Sequence, residues 1–180
     1  MSNYPIVSQE ILFQLETIQK QAEMDKVHLT SEVLVINSQG QLFGQKRSST
    51  TRLFPDAWDV PGGHLEPDET ILNCISRELK EETNWDIQEV ITLLGVEDWD
   101  VPVESRKQGD NIHKRMVKVL VRVKNIEELI LEGDKVSESM WFDNSNLDRL
   151  LEGRNLDSWR RDSFVKVLEY IKKNNICGIN

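Results

Sequence analysis

Apolar residues recur at helical intervals near the start of the chain, where Ile11, Leu12, Leu15 and Ile18 line one side of residues 8–24. The period then shortens. Residues 29–37 and 41–46 read as two strands joined by the turn Ser38-Gln39-Gly40. An irregular stretch, residues 47–57, runs into Trp58-Asp59-Val60-Pro61. Pro67 and Asp68 suit the first turn of a helix, so a helix is expected from there to Thr83. Strands are expected over residues 87–96 and 112–123, the second by its alternation of apolar and polar positions. Between them, residues 97–111 are polar and broken by Pro102 and Gly109, which reads as a loop. Met140-Trp141-Phe142 reads as a last strand, and helical spacing follows over residues 147–151 and 158–173.

Periodicity alone therefore gives mixed α and β structure, and 180 residues suffice for one well-packed domain. Charge narrows the partners. There are 31 acidic residues against 22 Lys plus Arg, a formal charge of −9, which argues against a nonspecific nucleic-acid or anionic-membrane binder. An anionic substrate must then be received by local cations against the general field. Cys74 and Cys177 are the only cysteines and no secretory leader is visible, so reduced thiols in a cytoplasmic protein are expected. No apolar run approaches the roughly 20 residues of a membrane-spanning helix.

The densest chemistry lies in the predicted helix before Thr83. Glu78, Glu81 and Glu82 stand at i, i+3 and i+4, a spacing that gathers side chains on one face. With Glu78 at zero, Glu82 falls about 40° to one side and Glu81 about 60° to the other, while Leu72, Ile75 and Leu79 form a separate stripe for packing. Three carboxylates so close repel one another, and a bound divalent cation removes that penalty. Carboxylate, carbonyl and water oxygens favour Mg²⁺ or Mn²⁺, and Mg²⁺ is commonly shared with substrate phosphates.

The arrangement resembles the signature of the Nudix hydrolases. That signature is Gly, five residues, Glu, seven residues, then Arg-Glu-apolar-any-Glu-Glu-any-Gly-apolar. Gly63, Glu69, Arg77, Glu78, Glu81 and Glu82 match its fixed positions, and Leu79 and Trp85 its apolar ones. Asn84 stands where the family has glycine; Asn tolerates the left-handed conformation best after Gly, so the departure is expected to cost little. The resemblance implies an α/β/α sandwich with a mixed sheet and a catalytic loop–helix–loop, preceded by an N-terminal helical extension. The extension is placed at residues 1–25 and the domain at residues 26–176. It implies metal-dependent hydrolysis of a pyrophosphate bond in a nucleoside diphosphate derivative, such as a nucleoside triphosphate or ADP-ribose. Glu78, Glu81, Glu82 and the carbonyl of Gly62 correspond to metal ligands, with Glu78 a proton acceptor in some members. Glu69 and Arg77 correspond to residues that keep loop and helix in register.

Other assignments are less constrained. Arg47, Arg52 and Gly63 are candidate substrate contacts, with Lys46, Arg106 and Lys114 as further cations, since guanidinium suits phosphate geometry. Trp99, on the expected polar loop, is a candidate for stacking on a base, whereas Trp58 reads as packing. An additional carboxylate is sought among Glu97, Asp98, Glu132 and Asp134. His28, His64 and His113 have no zinc spacing, and Cys74 reads as helix packing. The expected partner is a small phosphorylated molecule rather than nucleic acid or membrane. The N-terminal helix either covers the sheet or forms part of a homodimer interface. Two alternatives share the diphosphate logic: an enzyme like isopentenyl diphosphate isomerase, and a non-catalytic nucleotide-sensing module. The isomerases use an active-site cysteine where Asp59-Val60-Pro61 offers none, and sensors usually lose carboxylates that are all retained here.

Overall fold

The alternating and helical patterns resolve, in a computed structural model, into three helices and six strands; residues 4–109, 111–151 and 159–176 are described. In chain order these are α1 (Gln9–Asp25), β1 (His28–Val35), β2 (Leu42–Arg47), β3 (Trp58–Asp59), α2 (Ile71–Thr83), β4 (Ile87–Asp100), β5 (His113–Val123), β6 (Val136–Phe142) and α3 (Trp159–Lys173). The strands form two three-stranded sheets, ordered β1-β5-β4 and β3-β2-β6. The chain divides into two compact units, one running to Val33 and resuming over Pro61–Ile130, the other holding Leu34–Val60 and the chain from Leu131 onward.

In the first unit, Ser8 caps α1 by accepting the Ile11 N–H at 3.2 Å, and Lys26 ends the helix with φ 55°. Ile11, Leu15 and Ala22 are its buried residues, and the helix packs beside α2. The Gln19 carboxamide clasps the approach to α2, donating to the Glu69 carbonyl at 2.9 Å and accepting the Ile71 N–H at 3.2 Å. β4 and β5 pair antiparallel from Ile87↔Val123 to Asp100↔His113. Ile6 adds a parallel bridge to Glu89, which makes this sheet mixed. Ile75, Leu79, Trp85, Val117, Val119 and Val121 have no exposure, so the apolar stripe of α2 and one face of the sheet supply the core.

The second unit is built around aromatic edges. Trp58 and Phe142 meet edge to face at 5.0 Å, and Phe142 meets Phe164 of α3 in the same way at 5.5 Å. Gly44 makes room for this stack, since a Cβ there would lie 2.6 Å from the Phe142 ring. Trp58 is thus the packing residue its context suggested, 2% exposed.

Several features differ from the sequence expectation. The helix α2 starts at Ile71 rather than near Pro67, because Asp68 takes a left-handed φ of 63° and Thr70 supplies the cap, accepting the Asn73 N–H at 3.2 Å. Its core stripe is Ile71, Cys74, Ile75 and Leu79, with Leu72 only half-buried. β4 continues to Asp100 through residues that read as loop, because β5 offers a pairing partner along the whole length. The segment over residues 147–151 is a short 3₁₀ turn.

Candidate active site

The turn Pro61-Gly62-Gly63 is held against β1. Ser31 N–H donates to the Gly63 carbonyl and Val33 N–H to the Pro61 carbonyl, both at 2.8 Å. Backbone meets backbone so closely that a Cβ on Gly62 would stand 2.1 Å from the Ser31 carbonyl oxygen, which only glycine avoids. Gly63 is constrained from the other side: its Cβ would lie 2.2 Å from the Glu78 carboxylate. The paired glycines therefore bring the chain onto β1 and at the same time admit a carboxylate from α2.

The helix delivers its acids to that turn. Glu82 Oε2 accepts the Gly62 N–H at 3.3 Å, so Glu78 and Glu82, one helical turn apart, both reach the Gly62-Gly63 backbone. The Arg77 guanidinium organises the rest. It donates to both Glu69 oxygens at 2.9 Å, to Glu78 Oε1 at 2.9 Å, to Glu81 Oε2 at 3.3 Å and to the His64 carbonyl at 3.0 Å. Hydrogen bonding to Arg77 holds the Glu69 carboxyl below its usual pKa and, with Glu78, raises the pKa of Arg77, fixing its charge. Glu69 itself precedes the Thr70 cap, so it lies outside the helix on which the sequence reading placed it. Arg77 and Glu69 tie the loop from His64 to Glu69 onto α2.

At its far end α2 stops on Asn84, φ 62°, whose N–H donates to the Lys80 carbonyl at 2.9 Å. The side chain adds something glycine lacks, since Asn84 Nδ2 donates to the Glu128 carbonyl at 3.1 Å. Trp85 follows, fully buried, with its indole N–H on the Ile126 carbonyl. Cys74 is buried against Ser31 Oγ at 3.7 Å, and burial pushes its thiol up to about 11, which leaves it protonated and inert at neutral pH.

These donors suit a hard divalent ion: Glu78 and Glu82 of α2 meet the Gly62-Gly63 turn, Glu81 is 58% exposed on the same helix, and carboxylate and carbonyl oxygens are hard ligands. Among the described residues no group of three or more His, Cys, Asp or Glu side chains is arranged to hold a metal ion by itself. Mg²⁺ asks for less, being held through one or two carboxylates plus waters and substrate phosphates.

The remaining candidates are placed unevenly. Trp99 lies on β4 rather than on a loop, opposite Lys114 in register, with its indole N–H 3.4 Å from Thr30 Oγ1. Glu97 binds Lys118 at 2.7 Å and Asp98 binds Arg115, so both are engaged within the sheet. Glu132 pairs with Lys135, and the Asp134 carbonyl accepts from Ser48, in the second unit. Arg47 is also in that unit, where it closes its own loop by donating to the Leu53 carbonyl at 2.8 Å and pairing with Asp59 at 3.3 Å. Arg52 is exposed on the same loop, and Arg106 donates to the Val101 carbonyl. Cys177 lies outside the described residues.

Sequence reasoning named Lys114 as a cation but missed the polar row on the first sheet to which it belongs. Glu32 of β1 and Lys118 of β5 are buried 3.9 Å apart, and Lys114 is buried with its ammonium 2.6 Å from His64 Nε2. The signal was available: Lys114, Met116 and Lys118 share one face of an otherwise apolar strand, where a cation needs a partner.

The chain is similar to known proteins. The NUDIX domain model matches residues 26–162, beginning after α1. An uncharacterized Nudix hydrolase of Nostoc sp. is 46% identical over 61 residues, 33% of this chain and 36% of its own. The m7GpppN-mRNA hydrolase NUDT17 of Xenopus laevis is 31% identical over 117 residues, 62% of this chain and 40% of its own. An RNA pyrophosphohydrolase of Hydrogenovibrio crunogenus is 36% identical over 67 residues, 37% of this chain and 38% of its own. The chain thus spans well under half the length of these relatives in the matched stretches. Among solved structures, a MutT protein of Methanosarcina mazei aligns with TM-score 0.57 at 21% identity, over 82% of this chain and 96% of that one. A MutT NUDIX hydrolase of Burkholderia pseudomallei gives 0.57 at 21%, over 78% and 97%. With a matching family model over most of its length, a shared α/β fold and every charged position of the signature in place around Gly62-Gly63, the chain belongs to the Nudix family.

Proposed function

We propose that this chain is a Mg²⁺-dependent pyrophosphohydrolase, with Mn²⁺ as an alternative ion, acting on a nucleoside diphosphate linked to a further group. The observation that carries the reading is the junction of α2 with the turn, where Glu78 and Glu82 reach the backbone of Gly62-Gly63 and Arg77 ties Glu78, Glu81 and Glu69 together. Nudix hydrolases generally use divalent metal ions. Glu78, Glu81, Glu82 and the Gly62 carbonyl would hold the ion. When bound it supplies neutralising charge for the pyrophosphate and acidifies water for attack at phosphorus. Arg77 keeps the carboxylates at their stations between turnovers, and the Gly62-Gly63 backbone admits Glu78 to the turn. Residues 26–176 act as the catalytic domain, with α1 of residues 1–25 bracing the start of α2 through Gln19.

The substrate class has two forms. A small nucleotide fits the acidic chain, whose charge of −9 opposes a polyanion. A relative named as an mRNA hydrolase and another named as an RNA pyrophosphohydrolase favour the 5′ end of an RNA. Both present a nucleoside with a pyrophosphate. Phosphate release from nucleoside triphosphates, ADP-ribose, sugar nucleotides, dinucleotide polyphosphates and capped or triphosphorylated oligonucleotides separates them. Turnover of one class, abolished by EDTA and restored by Mg²⁺, supports the reading. Silence on the whole panel by folded protein whose melting temperature rises with Mg²⁺ would sink it.

A further inference from the structure

We infer that the cleft beside Trp99 and Lys114 is the nucleoside diphosphate recognition site, with Trp99 stacking on the base and Lys114 meeting the phosphate. This inference rests on the proposed hydrolase reading and deepens it, by assigning recognition to residues of the first sheet that lie outside the signature.

The cleft measures about 590 Å³ and is lined by Val27, Asp98, Trp99, Asp100, His113 and Lys114. That volume lies within the roughly 300–1,000 Å³ of ordinary small-molecule sites. Its indole platform is fixed in place. Trp99 on β4 reaches Thr30 on β1, so the indole extends past the central strand β5, pinned by its N–H while half-buried. A pinned indole offers stacking area at little entropic cost. Every base has a π-face, so such a platform selects nucleotides over sugar or lipid diphosphates.

Lys114 supplies the charge. It is only 7% exposed, yet it lines the cleft, with its ammonium 2.6 Å from His64 Nε2. The neighbouring His28 ring lies 5.2 Å from that of His64, and burial with the nearby Lys114 charge lowers the His28 pKa, which keeps it neutral near pH 7. His64 then links the cleft to the candidate active site, because it follows Gly63 directly and its carbonyl takes the Arg77 guanidinium at 3.0 Å. A diphosphate whose base stacks on Trp99 would meet the Lys114–His64 pair on its way to the Gly62-Gly63 turn.

The test is calorimetric binding of ADP and of inorganic pyrophosphate to the full chain in EDTA, where nothing is hydrolysed. ADP is expected to bind about tenfold more tightly than pyrophosphate. Trp99→Leu should weaken ADP about tenfold while leaving pyrophosphate within twofold, and Trp99→Phe should restore most of the ADP affinity. Lys114→Met should weaken both ligands about equally. The inference is overturned if Trp99→Leu leaves ADP binding within twofold of wild type. Equal weakening of ADP and pyrophosphate by Trp99→Leu, or no ADP binding by the wild type at millimolar concentration, overturns it too. The metal-free assay keeps the two readings apart: ADP binding lost in Trp99→Leu stands even if the substrate panel is never turned over.

Discussion

Arg77 in the first unit and Arg160 in the second both hold carboxylates, but with opposite balance. Around Arg77 one guanidinium serves Glu69, Glu78 and Glu81, with Glu82 close by on the Gly62 N–H. Around Asp59 the ratio reverses: Arg160, only 2% exposed, and Arg47 both pair with a single carboxylate. The second cluster gathers more cation than anion and ties α3 to β3 and the end of β2. The first has more anion than cation among these contacts and keeps Glu81 in solvent, which in the proposed function is answered by a metal ion. Identical side-chain chemistry thus makes a brace in one place and a receiving site in the other. The difference lies in how many charges of each sign converge.

Four experiments probe that contrast. The largest effect is expected from Glu82→Gln, which keeps the side chain's shape but removes a carboxylate from the anionic excess. It should cost more than about 100-fold in kcat with an unchanged circular dichroism spectrum. Full activity would mean that the excess charge has no catalytic purpose. Arg160→Leu tests the opposite claim: stability by urea titration should fall by on the order of 2 kcal/mol while kcat of the folded fraction holds. A drop in kcat without loss of stability would erase the distinction between brace and site.

A smaller effect is expected from Gln19→Ala, which frees the Glu69 carbonyl and the Ile71 N–H at the start of α2. About 1 kcal/mol of stability should go, read from the urea midpoint, and hydrogen exchange should quicken in the first turn of α2. The mildest probe is acid. Arg77 depresses the Glu69 pKa below its ordinary value of 4.5, so its contribution is complete above that pH and is lost as pH falls through the lowered value. Between pH 5 and pH 3 the wild type should therefore lose more melting temperature than Glu69→Gln. Parallel loss in both proteins would show that the pair adds nothing to stability.

Much of this was open to reading from residue order. Three glutamates at i, i+3 and i+4 share a helix face wherever that helix lies, because 3.6 residues per turn is a local property. The same holds for Asn84, whose left-handed φ follows from where the helix must stop. Gly62 and Gly63 were named for a metal-ligating carbonyl and a substrate contact, without their neighbours Ser31 and Glu78, and Arg77 and Glu69 were named as a clamp without its distances.

What residue order left undecided was anything set by pairing across the chain. Residues 97–100 are polar and read as loop, yet β5 supplies hydrogen bonds along them and makes them strand, which moves Trp99 onto a sheet. Arg47 looked like a free cation aimed at phosphate until Leu53 and Asp59 claimed it. Lys114 and Lys118 became buried cations only when His64, Glu32 and Glu97, far off in sequence, came alongside. Local geometry is encoded within a few residues and is legible there. The partner of a charge or the length of a strand depends on segments dozens of residues away, and only the folded chain brings them together.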